Sequence, residues 1–263
     1  MITRIILILF LFSGFASYGQ ILNIESERQE ADTSKRFIGS LELGLQVNNR
    51  SITEEDENTF LQLSLEANTG YQSKKHIYMM LNDFDYITFN NENSIRTGYN
   101  HFRANFLHLN PTSYESYGQV QYDLGRGLEL RWLVGGGIRQ RLYNEKWLKA
   151  YFGISAMYES EKWTFAGIEG ARQRRIPKVS SYLSTNFTLS ENASLGLVSY
   201  YQTGYDHVDE FYRHRFAADI ELELKITKVI NFITHFNYFY ESDPIVPIRN
   251  YFYTLENGIE INF

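Results

Sequence analysis

The sequence predicts an all-β fold: a transmembrane, antiparallel, up-and-down β-barrel of about twelve strands. Three observations carry this expectation. The last stretch alternates, with Tyr251, Tyr253, Leu255, Ile259, Ile261 and Phe263 on one face and Thr254, Glu256, Gly258, Glu260 and Asn262 on the other. Asn257 is the one polar break on the apolar face, and the alternation outruns the usual soluble strand. The leading segment, 1–19, reads as a secretory signal peptide. It has Arg4, then an apolar run from Ile5 to Phe12, then Ser17 and Gly19 at the cleavage positions. That run is too short to cross a bilayer as a helix. Aromatic residues make up 16% of the chain, yet the mean hydropathy is −0.35. The combination is expected where only alternate residues meet lipid and aromatic girdles mark both interfaces.

Composition excludes several alternatives. After the leader there is no apolar stretch of about twenty residues, so transmembrane helices are not expected. Four prolines in 263 residues suit long strands. The absence of cysteine rules out disulfides and a cysteine-linked lipid anchor. A net charge of −6 without a basic block argues against nucleic acid. Residues 20–36 are crowded with charge and have no period, and read as a periplasmic tail. From Phe37 to Phe263 the strand pattern continues without a linker, giving one barrel domain. The expected location is the outer membrane of a Gram-negative bacterium, with both termini periplasmic.

The strands follow in order. Near 37–48, Phe37, Leu41, Leu43, Leu45 and Val47 share one face, with Glu42 and Gln46 on the other. Near 58–71, Leu61, Leu63, Leu65 and Ala67 oppose Gln62, Ser64, Glu66 and Asn68. Further strands centre on 75–89, 94–107, 112–123, 127–142, 146–159, 176–190, 193–204, 211–226, 229–240 and 249–263. Alternation is blurred in 75–89 and 193–204. The even-numbered connections are short: 72–74, 107–111, 144–145, 191–192 and 227–228. The first, seventh, ninth and eleventh are longer: 49–57, 160–175, 203–210 and 241–249. The third and fifth are short for external loops. This rhythm matches barrels with short periplasmic turns and longer external loops. Phe263, with Tyr253, Leu255, Ile259 and Ile261, reads as an insertion signal for the barrel-assembly machinery.

A central run carries a family resemblance. Arg96-Thr97-Gly98-Tyr99-Asn100-His101-Phe102-Arg103-Ala104-Asn105 precedes Tyr114-Glu115-Ser116-Tyr117-Gly118-Gln119-Val120-Gln121-Tyr122-Asp123. Leu130-Arg131-Trp132-Leu133-Val134-Gly135-Gly136-Gly137-Ile138-Arg139 follows, and later Gly153 and Tyr158-Glu159. This resembles the YdiY-like family of salt-induced outer-membrane proteins, a domain of unknown function, best over about residues 94–160. The resemblance implies an outer-membrane barrel and supplies no substrate or catalytic residue.

The polar faces hold the candidate site. Glu115, Gln119, Gln121 and Asp123 share a face with Tyr117. On the next strand Glu129, Arg131, Arg139 and Arg141 share another, and a turn at Gly125-Arg126-Gly127 would set the two side by side. Lys149, Tyr151 and Glu159 follow on the next strand. A second set comprises Arg213, Arg215, Asp219, Glu221 and Glu223, opposed by Tyr212, Phe216, Ala218, Ile220, Leu222 and Leu224. Arg131, Arg139 and Arg141 are expected to face the lumen and to pair with Glu115, Asp123 or Glu129, because buried charges need partners. These residues suit either a charged constriction or a cross-linked filling of the barrel.

Other constellations are weaker. Gly135-Gly136-Gly137 lacks the Lys-Ser/Thr of a phosphate loop and reads as a bend or a crowded interior contact. Asp206-His207-Val208-Asp209-Glu210 concentrates metal-capable groups in one loop, although exposed acidic loops commonly hold no ion. Lys162, Arg172, Arg174, Arg175 and Lys178 make the seventh connection and its edge basic, which suits lipopolysaccharide or simple solvation. No metal site and no cofactor is expected. The six histidines are His76, His101, His108, His207, His214 and His235, and none stands in the His-x-Ser pattern of outer-membrane phospholipases, so an enzyme is not expected. A passive pore for ions or small polar solutes comes first. A filled structural or interaction barrel within an outer-membrane assembly comes second, and a lipid-facing enzyme third.

Overall fold

The computed structural model describes residues 36–49, 59–90, 93–167, 169–227 and 229–261. The leader, nearly all of the charged tail and Phe263 lie outside the described residues. Twelve strands follow one another: β1 (Phe37–Asn49), β2 (Thr59–Gln72), β3 (His76–Phe89), β4 (Asn93–Phe106), β5 (Thr112–Asp123), β6 (Leu128–Asn144), β7 (Leu148–Trp163), β8 (Arg172–Ser190), β9 (Ala193–Asp206), β10 (Phe211–Lys225), β11 (Ile230–Glu241) and β12 (Tyr251–Ile261). They form one sheet in sequence order, each strand pairing antiparallel with its chain neighbours. This is an all-β, up-and-down topology, and β3 and β9 are full strands despite their blurred alternation.

The strands are inside out relative to a soluble sheet. In β6, Leu130, Trp132, Val134 and Ile138 are exposed while Leu133 and Arg139 are buried. In β10, Tyr212 and Phe216 are exposed while Arg213, Arg215, Ala217 and Asp219 are buried. Period-two alternation sends each set to one side. The polar side becomes the interior because the sheet rolls upon itself. Tyr182 on β8 donates its hydroxyl to Glu115 on β5 at 2.8 Å, and Arg215 on β10 reaches Glu159 on β7 at 2.8 Å. The guanidinium of Arg126, between β5 and β6, lies 4.5 Å from the ring centroid of Phe252 on β12.

Glycines let tyrosines lie flat on the inner wall. Gly135 faces Tyr117 and Gly153 faces Tyr182 across the ladder. A Cβ would approach the ring to 2.6 Å at Gly135 and 2.0 Å at Gly153, so only glycine fits. The crowded-contact reading of Gly135 thus has a specific partner.

Three connections differ from expectation. β7 and β8 stay paired out to Trp163 and Arg172, so the seventh connection shrinks from 160–175 to 164–171. β9 runs on to Asp206, which shortens the ninth to 207–210. The eleventh, 242–250, folds back. Its Ile245 and Val246 are buried against Leu128 and Trp163, with Phe165 and Ile248 packed alongside. Arg172 fastens it by donating to the Ile245 carbonyl at 3.0 Å. A segment leaving β11 therefore reaches the ends of β6 and β7, strands remote from it in the sheet order, and lies over the long-loop end of the lumen.

Among the described residues no register joins β12 to β1. Both behave as edges: Leu43 is 73% exposed and Leu255 60%, against 41% for Leu130 in the interior of the sheet.

Candidate functional site

The lumen wall gathers the polar faces of β4 through β11 into two linked networks. The upper one centres on Glu159 and Arg215. Glu159 receives Arg131, Lys178 and Arg215. Arg215 in turn contacts Glu161 at 2.8 Å and Glu241 at 2.9 Å. Arg131 adds a 3.2 Å contact to Glu161, whose carboxylate also accepts the Trp163 indole N–H at 3.1 Å. Five strands meet here, β6, β7, β8, β10 and β11. Charges so deeply buried persist because each meets an opposite charge in good geometry.

The lower network centres on Glu115. Arg103 lies 3.5 Å from it and Arg139 3.8 Å, and the Tyr182 hydroxyl donates to it from three strands away. The Arg139 guanidinium also lies 3.5 Å from the Tyr151 ring centroid, and Arg103 lies 5.1 Å from that of Tyr117. Between the networks, Gln119 joins His101 at 3.3 Å and donates to Gln121 at 3.1 Å, and Gln121 accepts from Arg131 at 3.4 Å. Towards the short-turn end, Asp219 is fully buried and meets His235 at 2.6 Å and Asn237 at 3.2 Å. Glu221 is half-buried beside them.

The expected lumen set is thus placed unevenly. Glu115, Gln119, Gln121, Arg131, Arg139, Arg213, Arg215, Asp219 and Glu221 all lie on the inner face. Of the expected pairings, Arg139 meets Glu115, while Arg131 pairs with Glu159 and Glu161 instead. Four residues depart from the expectation. Glu129 bonds Lys162 and Thr164 outside the networks, because β6 carries an irregularity between Leu128 and Leu130. One extra residue in a strand reverses facing parity, so Glu129 no longer shares the side of Arg131. Asp123 is buried but accepts the Arg126 backbone N–H at 3.1 Å, closing the β5–β6 turn rather than pairing with Arg131, Arg139 or Arg141. Lys149 is exposed at the start of β7 and joins neither network. Arg141 is half-buried and donates to the Leu109 carbonyl at 3.3 Å. At the turn itself burial lowers the pKa of Arg126 from its ordinary value, against the opposing pull of Asp123.

The acidic and basic loop clusters answer each other. Asp206 is buried and accepts Arg213 at 2.7 Å, and Arg174 contacts Asp206 at 3.2 Å and Asp209 at 3.0 Å. Asp206 also holds its own turn by accepting the Val208 N–H at 2.9 Å. Lys178 belongs to the Glu159 network. Asp206 and Asp209, two of the carboxylates suggested for a cation, are therefore engaged by arginines, and among the described residues no group of three or more His, Asp or Glu is arranged to hold a metal. Glu161, Lys178, Arg103, Glu241 and Tyr182 are among the lumen residues the sequence reading did not single out as such. For Glu161 and Lys178 the signal was present, since their strand alternation continues past 160 and begins before 176.

Between the networks lies a cavity of about 70 Å³ open to water-sized bodies. Its wall includes Tyr99, His101, Arg103, Tyr117, Tyr182, Tyr200, Gln202, Arg215 and Phe239.

No family model and no curated protein matches the chain. Among solved structures, the β domain of the Bordetella autotransporter BrkA is similar over 86% of this chain and 99% of that one, at 9% identity and a TM-score of 0.40. A chain from work on the in-meso crystallization of membrane proteins is similar over 84% of this chain and 83% of that one, at 13% identity and a TM-score of 0.33. Likenesses this distant add nothing to what the strand order itself establishes: one sheet of twelve antiparallel strands in sequence order.

Proposed function

We propose that this chain is an outer-membrane β-barrel whose lumen is filled and braced, so that it serves as a closed structural or binding barrel rather than an open pore. The membrane reading rests on the inverted faces: arginines and acids inside, Leu, Val, Trp and Tyr outside. So large an apolar exterior is not sustained in water, and it suits lipid. The observation that carries the closed lumen is the Tyr182–Glu115 bond between β8 and β5, reinforced by Arg215 bridging three carboxylates from β7 and β11. An open pore would line its wall with such groups and leave the middle to water. The passive-pore expectation is therefore the second choice. Kinship with the YdiY-like family, contact with lipopolysaccharide and delivery by the barrel-assembly machinery belong to the same proposal, and no enzymatic step is part of it.

Planar-bilayer recording on the purified, folded protein is the test. The expected result is no steady conductance above the bare bilayer. Stable, reproducible channel steps would overturn the closed reading and restore the pore.

The proposed orientation puts the even-numbered turns in the periplasm. Protease added to intact cells should cut within 164–171 and spare the turn at 145–147. Cleavage at 145–147 alone would reverse the orientation.

A further inference from the structure

Arg96 stands on the outer wall of β4, away from the lumen networks. Its register partner is Tyr86, an exposed outward residue of β3. Arg96 is itself exposed, and among the described residues its guanidinium meets no carboxylate. Asp85, one step along β3, turns inward, is buried and accepts the Thr97 hydroxyl at 3.5 Å. By contrast Lys162, an outward cation of β7, is matched by Glu129. A lone arginine facing lipid is costly at mid-bilayer and tolerated near the interface. Arg96 is at the rim: its carbonyl accepts the Leu124 N–H from the β5–β6 turn at 2.9 Å. Under the proposed orientation that turn is a short external connection. The wall is low there, and lipid headgroups come level with the guanidinium.

A groove leads away from Arg96 along the outer face. Leu45, Leu63 and Tyr86 continue its row across β1, β2 and β3. Leu43, Leu65 and Phe84 form the parallel row, which Tyr122 of β5 completes by laying its ring over Gly98. Between the rows, the residues of intermediate parity turn inward and leave backbone as the floor. The groove holds about 450 Å³. Strands lie about 4.8 Å apart, so from β1 to β5 it runs roughly 19 Å. The hydrocarbon of one leaflet is about 15 Å deep, a comparable length. The groove opens on the lipid side, so its occupant is apolar along most of its length and anionic at the Arg96 end.

We propose that this groove seats one lipid A unit of lipopolysaccharide, with Arg96 on a phosphate and an acyl chain between the two rows. The guanidinium fork matches phosphate geometry, and Tyr86 and Tyr122 suit the interface beside it. External-leaflet lipopolysaccharide carries both parts, phosphate at the headgroup and acyl chains below. The inference rests on the outer-membrane reading and its orientation, and it assigns the lipopolysaccharide contact of that reading to particular residues.

Native mass spectrometry of the detergent-folded barrel, titrated with bisphosphorylated lipid A, is the test. The wild type should retain one lipid A at low mole ratio, well ahead of dephosphorylated lipid A and phosphatidylglycerol. Arg96→Gln should weaken retention by about tenfold, as the loss of a charge-assisted contact would. Leu63→Trp, which adds bulk to the groove side, should weaken it as well. Arg175→Gln is the control. Arg175 is also exposed and outward, in register with Ser160 and Trp132, but lies on β8, away from the groove. Its loss should leave retention unchanged. Each variant is first checked for heat-modifiable migration, and Arg96→Gln decides alone if Leu63→Trp does not fold. Retention that Arg96→Gln leaves undiminished overturns the seat, and so does an equal loss from Arg175→Gln. Equal retention of dephosphorylated lipid A removes the role of Arg96, and preferential retention of phosphatidylglycerol points to the opposite leaflet; either overturns the proposal. A heat-modifiable barrel that retains no lipid A loses the seat and keeps the membrane reading, whereas a chain that never gives a heat-modifiable form loses both.

Discussion

Arg215→Ala should cost the folded barrel about 3–5 kcal/mol, the largest loss expected from any single substitution in the lumen. The side chain is buried and holds Glu159, Glu161 and Glu241 at 2.8, 2.8 and 2.9 Å. Its removal does not affect the three acids equally. Glu159 keeps Arg131 and Lys178, and Glu161 keeps Arg131 and the Trp163 indole. Glu241 loses the ion pair that compensates its burial. The penalty therefore comes mainly from one stranded carboxylate. This leads to a second expectation: Glu241→Leu in the Arg215→Ala background should recover part of the loss. Arg215→Lys should recover little, since one ammonium cannot span three carboxylates as a guanidinium fork does. Urea unfolding of the detergent-refolded barrel, followed by loss of heat-modifiable migration, measures each step. An Arg215→Ala midpoint equal to wild type would show that the network carries no stability.

The strand positions were legible because alternation is a local property. Each β-strand wrote its own inner and outer face, and Arg131, Arg139, Arg213 and Arg215 could be assigned inward from parity alone. Parity fails where a strand is irregular, and nothing local announced the extra residue at Glu129. It also fails to distinguish a wall residue from a turn residue, which is how Asp123 was misjudged: it spends an oxygen on the Arg126 N–H at its turn. The extent of β7 and β8 was underestimated because charged residues at 159–162 and 172–178 resemble a solvated loop. Of these, Glu159, Glu161 and Lys178 in fact face the lumen, whereas Lys162, Arg172 and Arg175 are exposed. Partner choice lay furthest from the sequence. Tyr182 and Glu115 stand on strands that never pair, and Arg215 meets Glu159 across two intervening strands. Such meetings depend on how tightly the sheet rolls, and strand tilt and shear, which alternation leaves unstated, set that curvature. The fold-back of 242–250 was hidden for the same reason, since Ile245 and Val246 find Leu128 and Trp163 only once the sheet has curled.

That fold-back gives the lumen two barriers in series, and they should be separable. Changing both Ile245 and Val246 to Asp places two carboxylates in an apolar cluster that includes Leu128, Trp163 and Phe165. The cluster's own side chains offer them no cation, and an unpaired buried charge costs several kcal/mol. Releasing the segment to solvent avoids that cost, because the ladders of β11 and β12 begin outside it. The expected result is rapid proteolysis within 242–250 in the double variant, slow proteolysis in the wild type, and unchanged heat-modifiable migration in both. Conductance should nevertheless stay absent, since the Glu159–Arg215 and Glu115–Tyr182 contacts lie deeper and do not depend on the loop. Channel steps in the double variant would mean that the loop alone closes the barrel and that the networks brace a wall around open water. Persistent silence with a released loop would place the barrier at the networks, where the arginines and acids meet inside the lumen.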